Sequence, residues 1–240
     1  EKLAYKNYYG KIALEYEKVK SDSIALIKWK YQRYLKDYLA TAKSLDRNIG
    51  RILAYLEKSG LAENTVVMYA SDQGFYMGEH GWFDKRFIYE ESLKTPFVIK
   101  YPGTIKAGTH VRQVVSNVDW APTLLDIAGV KPTAGMQGKS FFSLLKNPQI
   151  TWDNNSYYHY YEYPQPHQVA PHFGLRTEQL TLAKFYGPQN SWELYDIKKD
   201  PQNMKNLYGD KTYADIIQKL KATLKEKMIE YQDTEALELL

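Results

Sequence analysis

Val66-Val67-Met68-Tyr69-Ala70-Ser71-Asp72-Gln73-Gly74 is the stretch on which the reading of this sequence turns. Its first residues are apolar without alternation, which suits a strand covered on both faces. A helix precedes it: Leu45, Ile49, Ile52, Leu53 and Leu56 recur at helical spacing, Gly60 supplies a C-terminal stop, and Asn64-Thr65 make a turn. A helix leading into a short apolar run predicts a buried parallel strand over 66–70. The strand breaks off at Ser71-Asp72-Gln73-Gly74. In open α/β sheets ligands bind beyond the C-terminal ends of strands, so a carboxylate at Asp72 is placed for chemistry.

Working outward, 75–91 reads as a long loop with Gly74, Gly78 and Gly81 in or beside it, and 96–101 as a second apolar strand closed by Pro102-Gly103. Val114-Val115 suggests a third short strand. Asp119 is expected to cap a helix with Pro122 in its first turn and Gly129 after its end. Helix and strand thus alternate over 38–130, the α/β signature. Upstream, 1–37 is rich in Lys, Tyr and Glu and reads as irregular or partly helical. Beyond 148 the character changes: 157–163, 174–177, 180–186 and 192–196 read as antiparallel strands. From Tyr213 an amphipathic helix carries Ile217, Leu220, Leu224 and Met228 on one face. The expected organisation is an α/β domain over 1–148 and a small α+β subdomain over 149–240.

The 240 residues are 44% apolar and 25% charged, an ordinary globular composition. A net charge of +4, from 32 Lys+Arg against 28 Asp+Glu, is too mild to argue for nucleic acid. No apolar run reaches the roughly 20 residues of a membrane span, and no signal peptide is visible. The start at Glu1 rather than Met reads as a truncation or a cleaved product. With no cysteine, disulfides and Cys-ligated metals are excluded, although the compartment stays open. The 22 Tyr, 8 Phe and 5 Trp suit strand and core packing, with sugar stacking as the alternative.

Asp72 beside Gln73 offers a hard cation two oxygen donors, while an Asp there can equally cap a turn. Lys85 could clamp an oxyanion next to such a metal, or be a solvated loop lysine. His80 alone is more often structural than a ligand.

Taken together these runs resemble a known family. Ser71-Asp72-Gln73-Gly74, Gly78-Glu79-His80-Gly81, Lys85, Tyr89-Glu90-Glu91-Ser92 and Thr95-Pro96 look like the C-terminal half of the type I, formylglycine-dependent sulfatases. So do Asn117-Val118-Asp119, 121–126, Ala128-Gly129, Gly138-Lys139-Ser140, 174–177, 193–196 and Asp200-Pro201. The resemblance covers about residues 40–208, closest in flavour to bacterial sulfatases of glycan degradation. It implies an alkaline-phosphatase-like α/β sandwich followed by a small antiparallel sheet with a packed helix, and a periplasmic or secreted location. It further implies Ca²⁺ (Mg²⁺ possible) held in part by Asp72 and Gln73, where many relatives have Asn or His in place of Gln73. Lys85 matches the family lysine that contacts the sulfate and the leaving-group oxygen, and is expected to face the cleft rather than pair on the surface. In such a family the C-terminal subdomain borders the substrate pocket, so His80, His159, His167, His172 and Arg176 are candidates to hold a sugar, with structural hydrogen bonding the alternative for each.

The family nucleophile is a formylglycine made from Cys or Ser in a Cys/Ser-x-Pro-x-Arg motif. This sequence has no Cys, and none of its prolines stands in Ser-x-Pro-x-Arg. The upstream acidic metal ligands are also absent. The expectation is a sulfuric-ester hydrolase acting on a sulfated sugar or glycan, of which this chain holds one half-site, partnered by the N-terminal half of the same enzyme and inactive alone. The alternatives are a phosphatase or phosphonate hydrolase of the same superfamily, or a non-catalytic module for glycan binding or assembly.

Overall fold

The computed structural model describes residues 2–240, with side chains from residue 7 onward. It falls into two compact units, residues 1–65 and 66–240. The change of character at 148 lies inside the second unit.

The first unit is helical: α1 spans Lys2–Val19 and α2 spans Ser23–Lys58. The stretch read as irregular or partly helical is therefore helix through to the expected one. Asp22 starts α2, its carboxylate accepting from the backbone N of Ile24 at 2.9 Å and of Ala25 at 3.0 Å. No proline interrupts the 36 residues of this helix. At the far end Gly60 has φ 68°, and Leu61 N donates to Leu56 O at 3.0 Å, closing the helix as its glycine suggested. The two helices run antiparallel: Tyr8 OH donates to Asp37 at 2.9 Å and Trp29 Nε1 to Glu15 at 3.1 Å. None of the α2 residues is buried.

The second unit opens with β1, Val67–Ala70. Its ladder partner β4, Phe97–Lys100, is antiparallel, with Val67 opposite Lys100 and Ala70 opposite Phe97. The expected parallel pairing over 66–70 is thus corrected. An apolar run indicates that a strand exists, whereas its direction depends on how the chain returns, and the loop between β1 and β4 brings it back as a hairpin. Nor is β1 buried among the described residues, since Tyr69 is 44% and, across the ladder, Val98 65% exposed. Val114-Val115 is not a strand. Val114 N donates to the Asn154 side chain at 3.0 Å and Val114 O accepts from Trp152 Nε1 at 2.8 Å, so side chains take the bonds a ladder would use. Asp119 stands just before α4, Trp120–Ile127, but its carboxylate does not cap that helix. The residue closes a 3-10 turn, Asn117–Asp119, from which the carboxylate reaches back to Ser116 N at 2.8 Å and across to Lys139 N at 2.8 Å. The single turn α3, Glu90–Leu93, lies between β1 and β4, and α5 spans Phe142–Lys146.

Four antiparallel strands then form one sheet in chain order: β5 Asn155–Tyr160, β6 His172–Thr177, β7 Leu180–Phe185 and β8 Ser191–Asp196. Period-2 alternation sends Phe173, Leu175, Leu182 and Leu194 to one face, where Ile217, Leu220, Leu224 and Met228 of α6, Ala214–Glu230, cover them. The opposite face carries Ala183, Phe185 and Tyr195, packed on Tyr76, Ile88 and Tyr89 from the 75–91 loop. That loop contains a short hairpin, β2 Tyr76–Met77 and β3 Phe83–Asp84. The approach is close at Gly174, where a Cβ would lie 2.3 Å from Leu182 O and 2.5 Å from Ile88 Cδ1. A final helix, α7, spans Thr234–Leu239.

Candidate active site

The chain passes from β1 into the site under tight backbone control. Ser71 Oγ donates to Gln73 O at 2.9 Å, Gln73 N donates to Asp72 Oδ1 at 3.1 Å, and Gly74 N donates to Ser92 O at 2.7 Å. A Cβ on Gly74 would lie 2.1 Å from Glu91 O, so the segment leaves the strand pressed against the α3 backbone. Asp72 and Gln73 consequently line a cleft of about 1560 Å³. The Asn117 amide, on the turn before α4, lies beside them and donates to Asp72 O at 3.3 Å.

Lys85 lines the same cleft, delivered from the end of β3. Its side chain is 37% exposed and its Nζ lies 3.3 Å from Asp84 Oδ1. The lysine is thus in the expected cleft, but paired with its sequence neighbour rather than unpaired as expected. Arg86 also lines the cleft and bonds both Asp84 and His167, with 2.6 Å to His167 Nε2. A guanidinium only donates, so that imidazole nitrogen is the acceptor. Burial alone would raise the Asp84 carboxyl, but hydrogen bonds and charge from Arg86 and Lys85 hold it below the ordinary carboxylate range.

The remaining candidates separate. His159 lines the cleft with both ring nitrogens engaged, Nδ1 at 2.6 Å from Asp233 Oδ2 and Nε2 at 2.8 Å from Tyr186 OH. Arg176 lines it too, but its guanidinium is bidentate to Glu90 at 2.9 and 3.0 Å and donates to Thr177 O at 2.7 Å. It is a strut between β6 and α3 rather than a free sugar ligand. His80 is corrected outright: it is not among the cleft residues and stacks on Trp82 and Tyr89 at 5.4 Å each, with Nε2 3.8 Å from Glu91. His172 is corrected likewise. It is 0% exposed, its Nε2 accepts from Ile88 N at 3.2 Å, and its Nδ1 donates to Ala170 O at 2.8 Å. Burial pushes its pKa down to about 4, so it is a neutral core group joining the long loop to the sheet. Arg86, Asp84 and Asn117 are cleft or flanking groups that the residue types alone did not single out. The signal available was three consecutive charges, Asp84-Lys85-Arg86, in an otherwise aromatic and glycine-rich loop.

Asp72 and Gln73 give a hard divalent cation one carboxylate and one neutral oxygen, which suits part of the shell of about 6–8 oxygens such an ion takes. Among the described residues no group of three or more His, Asp or Glu is arranged to hold a metal. The fit is therefore to a partial ligand set.

The sulfatase family profile matches residues 3–130, and a profile described as N-sulphoglucosamine sulphohydrolase, C-terminal, matches 78–230. The chain belongs to the sulfatase family, and its fold is the alkaline-phosphatase-like one of those enzymes. It is 47% identical, over 95% of its length, to an N-acetylglucosamine-6-O-sulfatase of Bacteroides thetaiotaomicron, covering 41% of that protein. An ulvan-active sulfatase of Formosa agariphila is 32% identical over 83% of this chain and 39% of its own length. The chain thus spans about two fifths of these curated relatives. Among solved structures, BT4656 in complex with its substrate D-glucosamine-2-N,6-O-disulfate superposes with a TM-score of 0.89 at 47% identity, covering 94% of this chain and 46% of that one. A phosphonate monoester hydrolase from Silicibacter pomeroyi shares the fold at a TM-score of 0.71 and 24% identity, covering 80% of this chain and 40% of its own.

Proposed function

We propose that this chain supplies the leaving-group side of the active site of a sulfuric-ester hydrolase acting on sulfated amino sugars, with 6-O-sulfated N-acetylglucosamine as substrate. The observation that carries this is that Asp72, Gln73 and Lys85, from two separate loops, line one cleft in a chain 47% identical to an N-acetylglucosamine-6-O-sulfatase. As the ester S–O bond breaks, negative charge grows on the departing sugar oxygen. The Lys85 ammonium offsets that charge, and Asp84 and Arg86 fix where the ammonium lies. Asp72 and Gln73 would hold Ca²⁺, which when bound supplies Lewis-acid polarisation of the sulfate. The nucleophile, a formylglycine, belongs to the remainder of the protein. That remainder would also cover apolar residues that are exposed here, such as Ile27 and Ile52 of α2 and Tyr69 and Val98 of the β1–β4 ladder.

The test is sulfate release from 6-O-sulfated N-acetylglucosamine by the full-length protein, beside an aryl phosphonate control. Lys85→Ala is expected to lower kcat by about 10²–10³, the usual effect of removing one oxyanion-stabilising donor. An unchanged kcat, or preferential turnover of the phosphonate, overturns the reading.

A further inference from the structure

Lys85 stands between two residues with left-handed backbone, Asp84 at φ 84° and Arg86 at φ 119°. Neither is glycine, so both conformations are costly and persist only where the surroundings impose them. The surroundings of Arg86 are specific. Its backbone N donates to Ser92 Oγ at 3.1 Å, and its backbone O accepts from the Tyr158 hydroxyl. Ser92 is buried on α3, while Tyr158 comes from β5 of the four-stranded sheet. The hydroxyl of Tyr158 makes no other hydrogen bond among the described residues. Burial raises its pKa, aided by Tyr160 and opposed by Arg86, so it stays protonated and able to donate. The ring packs against His172 at 5.6 Å, which keeps the hydroxyl aimed at the loop.

We propose that Tyr158 and Ser92 are positioning residues for Lys85: by gripping both polar groups of the Arg86 backbone, they hold the strained turn that presents the lysine to the cleft. The proposal rests on the role of Lys85 in the proposed hydrolysis. It makes the small sheet a working part of the half-site rather than a passive neighbour, because one strand residue reaches across to set the loop. Arg86 adds a second restraint through its side chain, held by Asp84 and His167. Deleting the Tyr158 hydroxyl leaves the Arg86 carbonyl without that donor and lets the turn relax, which moves the Lys85 backbone but removes no group from the cleft chemistry.

A double-mutant cycle in the full-length protein separates positioning from general support, since residues that act through one another are not additive. The readout is sulfate release from 6-O-sulfated N-acetylglucosamine, with Tm measured for every variant. Tyr158→Phe in the otherwise unaltered protein is expected to lower kcat about tenfold with KM changed less than about twofold, the scale on which small misplacements act. In a Lys85→Ala background the same substitution is expected to change kcat by less than about twofold. Ser92→Ala should repeat the pattern, and carries the test if Tyr158→Phe does not fold. Equal losses in both backgrounds, or no loss in either, overturn the positioning role while leaving the function reading intact. If Lys85→Ala itself leaves kcat unchanged, the function reading fails and takes this proposal with it.

Discussion

Replacing His172 by Phe probes how the long loop is fastened to the sheet on which the site is built. The imidazole is fully buried, with Phe185 at 4.6 Å and Phe87 at 5.8 Å between ring centroids. Burial pushes its pKa from 6.5 down to about 4, with the Ala170 hydrogen bond opposing and His159 assisting. Above pH 6.5 neither the folded nor the unfolded chain binds this proton, and the contribution of the neutral ring is present in full. Between 6.5 and about 4 only the unfolded chain takes the proton up, so stability falls as pH falls. At about 1.36 kcal/mol per pH unit, the descent from 6.5 to about pH 5 costs about 2 kcal/mol, and the loss levels off near 3 kcal/mol below about pH 4. His172→Phe keeps a ring in the stack but leaves Ile88 N and Ala170 O without their partner. Each buried orphan costs about 1–3 kcal/mol, so at neutral pH the variant should be less stable by about 2–6 kcal/mol. Because the variant lacks the titration, that gap should narrow by about 2 kcal/mol at about pH 5. Urea unfolding of the full-length protein and the variant at the two pH values measures both terms. A gap of the same size at both refutes the assignment of His172 as a buried neutral group.

Leu224, 0% exposed between α6 and the sheet, should on replacement by Ala lower unfolding stability by about 2–5 kcal/mol, read by denaturant titration; a loss under about 0.5 kcal/mol would mean that this core is not the one that holds the sheet. Asp72→Asn should raise the Ca²⁺ concentration needed for half-maximal sulfate release by the full-length protein by about tenfold or more while leaving Tm in chelator unchanged, and an unaltered Ca²⁺ response removes Asp72 from the metal ligands.

Local periodicity made much of this protein legible. The alternation through Tyr157, Tyr158, His159 and Tyr160 and the helical spacing of Ile217, Leu220, Leu224 and Met228 are properties of a few consecutive residues; the helix forms from Ala214 as expected, while the strand expected over 157–163 forms over Asn155–Tyr160 and stops before Tyr161. The motif residues Asp72, Gln73 and Lys85 were singled out by their resemblance to sulfatases, and the structure brings all three to the lining of one cleft. Helix α2 was only half legible, because its upstream part carries Tyr and Lys where a helix signal needs a clean apolar stripe. What the tertiary structure alone decided involves partners far apart in the chain. The direction of β1 was set by the return of the chain through β4. Arg176 found Glu90 across 86 residues and His172 found Ile88 across 84, which turned two candidate sugar ligands into struts. A polar side chain carries the same donors whether it faces a substrate or a backbone amide. Which of these it meets depends on the segments packed against it, and no local pattern encodes that.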